Sequence, residues 1–436
     1  MQSIRFLAEK ARNASTHLAL LSSDAKNELL QAIAKKLEEN IPAILQENAK
    51  DIAAAHKKNL AEGLIDRLQL DQKRMEGIIS DLKKVAQLKD YVGDVLESRE
   101  LSNELFIKRI RVPIGVVGMI YEARPNVTVD ASALCLKSGN AVILKGGSDA
   151  LRSNQILVKL IREGLQESSF LTPESGLSES VQFIDSTDRS ATLELLKLHD
   201  LVDVIIPRGS KSLIDFVREN STVPVIETGA SVVHTYIHED ADIKKAVNIV
   251  MNAKLRRVGV CNALDSLLLH PKIAEKFLKA FIQALPKNEY KATHLELKAD
   301  ADAYAILKKI SQPQNFNLTL AQAQPDDFHT EFLDYILAVK TVRNLEEAIN
   351  HIAHHSLKHS EAIVTEDRKT AERFLQTVDA ACVYWNASTQ FSDGAQFGLG
   401  AEIGISTQKL HARGPFALEG LTSYKWIIEG TGQVRP

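Results

Sequence analysis

A chain of 436 residues, 44% hydrophobic and 25% charged, has an ordinary globular composition and is long enough to need two or three cores. Its formal net charge of −3, with no basic block, gives nucleic-acid binding no electrostatic support. No apolar run approaches the roughly 20 residues that span a bilayer, so no membrane partner is expected. The opening "MQSIRFLAEKARNAS" lacks the long apolar region of a leader. Three cysteines, an odd and sparse count, predict free thiols and a cytoplasmic protein.

Residues 1 to about 100 read as helices. Leu29, Leu30, Ile33, Leu37, Ile41, Ile44 and Leu45 recur at three- and four-residue intervals between Lys, Glu and Gln. A second periodic stretch, "RMEGIISDLKKVAQL", follows the break at Gly63. From Leu105 the period changes to that of a surface hairpin (101–112) leading into a buried strand, "PIGVVGMI". Helix "VTVDASALCLKSGN", with Gly139 as its C-terminal cap, strand "AVILK", turn "GGSDA" and helix "SNQILVKLIREGLQ" follow. Strands "VQFID" and "LVDVIIP" then lead to "PRGS" and helix "KSLIDFVREN". This alternation predicts an α/β fold with a doubly wound parallel sheet. A second α/β pattern begins near residue 230 with "SVVHTYI", "DIKKAVNIVMNAKL", "LDSLLLH", "KIAEKFLKAFIQAL", "YILAVKTV" and "SEAIVTE". The expected domains are 1–100 with 113–230, then 231–395. Segment 396–419 returns to the first, and 101–112 with 420–436 form a small appended element.

Neither GxGxxG nor GxxxxGK[ST] is present, so the standard phosphate-binding fingerprints are absent. Gly146, Gly147 and Ser148 follow one strand, and Gly209 and Ser210 open a helix after another. Such carboxyl ends of parallel strands are where open sheets bind ligands and where helix N-termini attract anions. Asn126 is read as ending one strand and Lys145 the next. Cys261 follows a glycine turn in "RRVGVCNALDSLL", close behind Arg256 and Arg257. Its residue type alone leaves two readings open: a small buried hydrophobe, or a nucleophile whose thiol the arginines activate. Cys135 and Cys382 lie in apolar segments and read as core.

The order Asn126, Lys145, Gly209–Ser210, Glu227, Cys261, Glu331 resembles the aldehyde dehydrogenase superfamily. The motifs "IPRGS", "NAKLRRVGVCNAL", "VYWNASTQFSDGAQFGLGAEIGISTQKLHARGP" and "LTSYKW" are similar, within it, to the branch that reduces γ-glutamyl phosphate. Val258 departs from that pattern, where the branch carries proline. The resemblance implies an aldehyde-dehydrogenase-like fold, with a cofactor domain at 1–100 and 113–230, a catalytic domain at 231–395, and oligomerisation through the appended hairpin. It implies Cys261 as nucleophile, Asn126 in the oxyanion hole, and an NADPH/NADP site at Lys145, Gly147, Ser148, Gly209, Ser210 and Glu331. Ser148 stands where NAD-preferring relatives carry a glutamate that repels a 2′-phosphate. Arg124, Arg256, Arg257, His411 and Arg413 supply cations for an acyl phosphate and a carboxylate. Implied partners are a small-molecule substrate, further copies of the chain, and glutamate 5-kinase as the donor of the acyl phosphate.

Two other readings stand beside this one: a hydrolytic semialdehyde dehydrogenase in which Glu227 activates water, and an inactive scaffold. The four site residues Asn126, Lys145, Cys261 and Glu331 argue against the scaffold. His351, His354, His355 and His359 are read as one helical stretch, but with no cysteine or carboxylate to complete a metal set they are expected to form a solvated face, and no metal is expected.

Overall fold

The structure is a computed structural model that describes residues 3–60, 62–167, 176–311 and 313–435. The chain forms two compact units, one of Met1–Thr228, Gly398–Gly404 and Phe416–Pro436, the other of Gly229–Phe397 and Ile405–Pro415.

The first unit opens with helices Ile4–Leu18, Ser23–Glu39, Ile41–Lys57, Glu62–Leu68 and Gln72–Gln87. Ser3, Ser22 and Asp71 cap three of them by accepting the N–H of Phe6, Ala25 and Arg74, which satisfies donors that a helix start leaves open. The periodic Leu29, Leu30, Ile33 and Leu37 are buried, as their spacing predicts. A four-stranded parallel sheet follows, in the order Val181–Phe183, Ala141–Lys145, Val116–Tyr121, Val204–Arg208. Its two central strands are buried along their whole length because both faces are apolar. Gly139 ends helix Asn126–Lys137 at φ +76°, the left-handed conformation that glycine supplies at helix ends.

Two sequence expectations are corrected here. Val95–Glu100 is a strand, not the end of the helical region, and pairs antiparallel with Phe106–Pro113, so residues 101–105 are the turn of a longer hairpin. Exposure on both faces hides the strand period, since five of its six residues are exposed. The tail strand Thr422–Glu429 pairs antiparallel with Phe106–Pro113 and makes this a three-stranded sheet. Asn126 does not end a strand; it begins helix Asn126–Lys137 directly after Pro125. A proline is tolerated there because the first helical N–H groups have no partner to lose.

The second unit is built on a seven-stranded parallel sheet. Its order is Asn317–Gln322, His294–Ala299, Ile336–Thr341, Ser266–Leu269, His234–Ile237, Ser360–Val364, Cys382–Trp385. Helices Ile243–Leu255, Pro271–Ala284, Leu345–His355 and Arg368–Thr377 connect its strands. Val250, Leu267, Phe277, Phe281, Leu297 and Val339 form part of its core. Three of the strands, His294–Ala299, Asn317–Gln322 and Cys382–Trp385, escape the sequence reading. They lie toward the two edges of the sheet; the first two mix polar residues with apolar ones, and the third is only four residues long.

Candidate active site

In the first unit the two glycine turns share one neighbour, Glu122. Its backbone lies against Gly147, where a Cβ would stand 3.4 Å from the Glu122 Cα. Its carboxylate accepts from Ser210 N–H at 2.9 Å and from Ser210 Oγ at 2.8 Å. At Gly209 a Cβ would meet that carboxylate at 2.7 Å. The start of helix Lys211–Asn220 therefore already seats an anion, as oriented N–H groups and the helix dipole favour. Sequence reasoning missed Glu122, because nothing local marks it.

Lys145 ends its strand with only 7% of its surface exposed. Burial lowers its pKa, and its ammonium donates to the Gly146 carbonyl at 3.0 Å. An ammonium has three donors, so this lysine retains capacity for ligand hydroxyls. Ser148 is exposed and opens onto a cavity of about 190 Å³ lined by Lys58, Arg152, Asp149, Asp51 and Gln155 among others. Lys58 pairs with Asp149 at 2.7 Å, and Arg152 stands 3.8 Å from Asp51. Asn126 Nδ2 donates to Asp130 Oδ2 at 3.0 Å, one helical turn on. Burial raises the Asp130 carboxyl to about 6. Arg124 is exposed on the turn before this helix. Glu227 stands 3.6 Å from the Arg218 guanidinium.

In the second unit Cys261 sits on the turn after helix Ile243–Leu255 and is partly accessible, while Cys135 and Cys382 are buried. Burial pushes both of those thiols up in pKa. The Cys261 turn is tied down by polar side chains. Ser231 Oγ donates to the Cys261 carbonyl and lies 3.2 Å from Glu331 Oε1. Burial, reinforced by the charge of Asp265, raises Glu331 to about 7. A hydroxyl has one proton to give, so Ser231 bonds both groups best when Glu331 carries a proton and donates to it. Asn262 donates to the carbonyls of Gln390 and Ser392 at 3.3 and 2.9 Å. Gln390 in turn donates to the Ala253 and Arg257 carbonyls, each at 3.2 Å, and accepts from Arg256 at 3.1 Å. Both arginines are exposed.

Beneath the turn, Asp265 accepts from Val233 and Phe332 N–H at 3.1 Å each, joining the Ser231 and Glu331 segments. Burial raises Asp265 to about 6 and lowers the neighbouring Lys254 to about 8. Of these supports, Lys254, Asn262, Asp265 and Gln390 lie inside motifs the sequence reading singles out, but the segments they tie to the turn are distant in sequence. Arg413 is tied to Asp379 at 2.8 Å, with Lys409 and Lys358 on the same carboxylate. His411 is exposed, in a left-handed conformation at φ 63°.

Of the four histidines only His354 is exposed, so together they do not form a solvated face. His351 and His359 are buried, His351 stacks on His355 with ring centroids 4.1 Å apart, and His359 lies beyond the helix end. A periodic count cannot see the partners, His234, His329 and Phe328, that come from other segments. Among the described residues no cluster of histidine, cysteine and carboxylate has the makings of a metal site. Among them, too, no helix is long and apolar enough to cross a membrane.

The chain belongs to the aldehyde dehydrogenase family, whose profile matches residues 2–296. Within it, its curated relatives include gamma-glutamyl phosphate reductases. That of Desulforamulus reducens is 47% identical over 436 residues, covering 100% of both chains. The crystal structure of the gamma-glutamyl phosphate reductase from Thermotoga maritima superposes with a TM-score of 0.92 at 44% identity, again over 100% of both chains. An engineered glycolyl-CoA reductase solved with bound NADP+ shares the fold at a TM-score of 0.67 and 16% identity, covering 98% of this chain and 97% of its own.

Proposed function

We propose that the chain reduces γ-glutamyl phosphate to glutamate 5-semialdehyde and phosphate with NADPH, the second step from glutamate to proline. The aldehyde then closes on its own amine to 1-pyrroline-5-carboxylate, a ring closure that needs no further catalyst. One observation carries this reading: of three thiols, only Cys261 is accessible, and it stands on a turn held by Ser231, Asn262 and Gln390. The substrate follows from end-to-end similarity to enzymes named for it.

In this reading the Cys261 thiolate attacks the acyl carbon, the bond to phosphate breaks, phosphate leaves with the electron pair, and a thioester remains. The reduced nicotinamide, when bound, supplies the hydride that brings the acyl group to the aldehyde level. Asn126 and the Cys261 N–H donate to the oxyanion, where loss of one such donor costs about 3 kcal/mol. Arg124, Arg256, Arg257, His411 and Arg413 provide cations for phosphate and the α-carboxylate.

The residues assigned to the dinucleotide fit it. Lys145 has donors to spare for ribose hydroxyls. The Gly209–Ser210 turn accepts a carboxylate, so it can accept a pyrophosphate. Gly147, on the neighbouring turn, lies against the backbone of the same Glu122, and Glu331 takes the nicotinamide ribose. Preference for NADPH rests on Ser148, whose cavity also holds Lys58 and Arg152. Copies of the chain pair along the edge strand Thr422–Glu429, which exposes Tyr424, Trp426 and Ile428. Cytoplasmic location fits three free thiols, and direct hand-over from glutamate 5-kinase suits so reactive an anhydride.

The test runs the reaction backwards. Oxidation of glutamate semialdehyde by NADP+ should require phosphate or arsenate, and Glu227→Gln should retain most forward activity, because Arg218 engages that carboxylate. Brisk phosphate-free formation of glutamate, lost in Glu227→Gln, would establish a hydrolytic dehydrogenase instead.

A further inference from the structure

We infer that Asp130 is a positioning residue that fixes the orientation of the Asn126 carboxamide; this rests on the oxyanion role proposed for Asn126. The two residues are four apart on helix Asn126–Lys137 and so share one face. Their side chains are joined, Nδ2 to Oδ2, at 3.0 Å.

A carboxamide has two ends of opposite chemistry, two N–H donors on one side and a carbonyl acceptor on the other. Only the nitrogen end serves an oxyanion; a flipped amide turns its own oxygen toward the developing charge and repels it. Asn126 stands at the very start of the helix, after Pro125, which supplies no side-chain cap to restrain it. Asp130 supplies the restraint. A carboxylate is acceptor only, so it holds the nitrogen end and rejects the oxygen end. One N–H is spent on this bond and the second remains for the substrate. Arg208 favours the ionised carboxyl, while burial and Asp81 oppose it.

The expected size follows from counting states. A free side chain in a helix keeps about two χ1 wells, each with two amide orientations, so about one molecule in four holds the productive arrangement. Asp130→Ala should therefore lower kcat about four- to fivefold with KM nearly unchanged. Asp130→Leu, which fills the space without an acceptor, should do the same, and Asp130→Asn, which keeps one, should stay within about twofold of the parent. Made in an Asn126→Ala background, Asp130→Ala should cause no further loss, since the group it orients is gone. Melting temperatures of the set separate folding from positioning.

Unchanged kcat in both Asp130→Ala and Asp130→Leu, or a loss that persists in full in the Asn126→Ala background, overturns the inference and leaves the proposed function standing. If Asn126→Ala itself keeps full kcat, the oxyanion role falls and this inference falls with it.

Discussion

His359 gives the second unit a calculable sensitivity to acid. The residue is fully buried, its Nδ1 is 2.8 Å from Ser360 Oγ, and its Nε2 has no partner. Burial alone lowers its pKa from 6.5 to about 4. A depressed folded-state pKa means that the unfolded chain takes up the proton first. The stability from keeping this ring neutral is thus fully present above 6.5 and is lost as the pH falls from 6.5 toward 4. Between pH 7 and pH 5 the loss comes to about 2 kcal/mol, a large fraction of a domain's stability. Glu331 and Asp265, whose pKa values are raised, act in the opposite sense, and His351 and His355 act in the same sense. A comparison of the parent with His359→Gln cancels all four, because both proteins contain them. The chain has two tryptophans, and Trp385 lies in the strand beside Ser360–Val364. In a Trp426→Phe background its fluorescence reports urea unfolding of this unit. The parent should lose about 2 kcal/mol more than His359→Gln between pH 7 and pH 5. Equal losses in the two proteins would refute burial as the cause.

Alkylation should separate the thiols: iodoacetamide under native conditions should modify Cys261 first and abolish turnover, sparing Cys135 and Cys382 until the chain unfolds, and Cys261→Ala should be inactive yet folded. Peptide mapping that finds Cys135 labelled before Cys261 would remove the nucleophile assignment. Two substitutions in the first unit should move cofactor binding in opposite directions when followed by NADPH fluorescence. Glu122→Gln should tighten binding severalfold, most at low salt, by removing a carboxylate that competes for the Ser210 turn. Ser148→Glu should weaken NADPH relative to NADH, since like charges placed together cost several kcal/mol. Equal affinity of the parent for both cofactors, or weaker NADPH binding in Glu122→Gln, would contradict this account.

The sequence by itself determined the α/β class, because buried parallel strands such as Val116–Tyr121 and Ala141–Lys145 are continuous apolar runs that need no neighbour to be recognised. The helical periodicity of Leu29–Leu37 and the stop at Gly139 were legible for the same reason: each is encoded within a few residues. Cys261 stands out in the sequence by its setting between a glycine turn, two arginines and an apolar strand, and the structure adds that its thiol is partly accessible while the other two are buried. Exposed strand Val95–Glu100 was not legible, because charged side chains on both of its faces erase the alternation. The supports of the site were not legible either. Asp265 joins the segments at 233 and 332, Gln390 the backbone at 253 and 257, and Glu122 the turn at 210. Burial of His351 and His359 likewise depends on what packs over them, which no local count contains. Local pattern fixes what a segment becomes; hydrogen-bond partners and the dielectric around a titratable group are set by chain segments that meet only on folding, and these the tertiary structure alone decided.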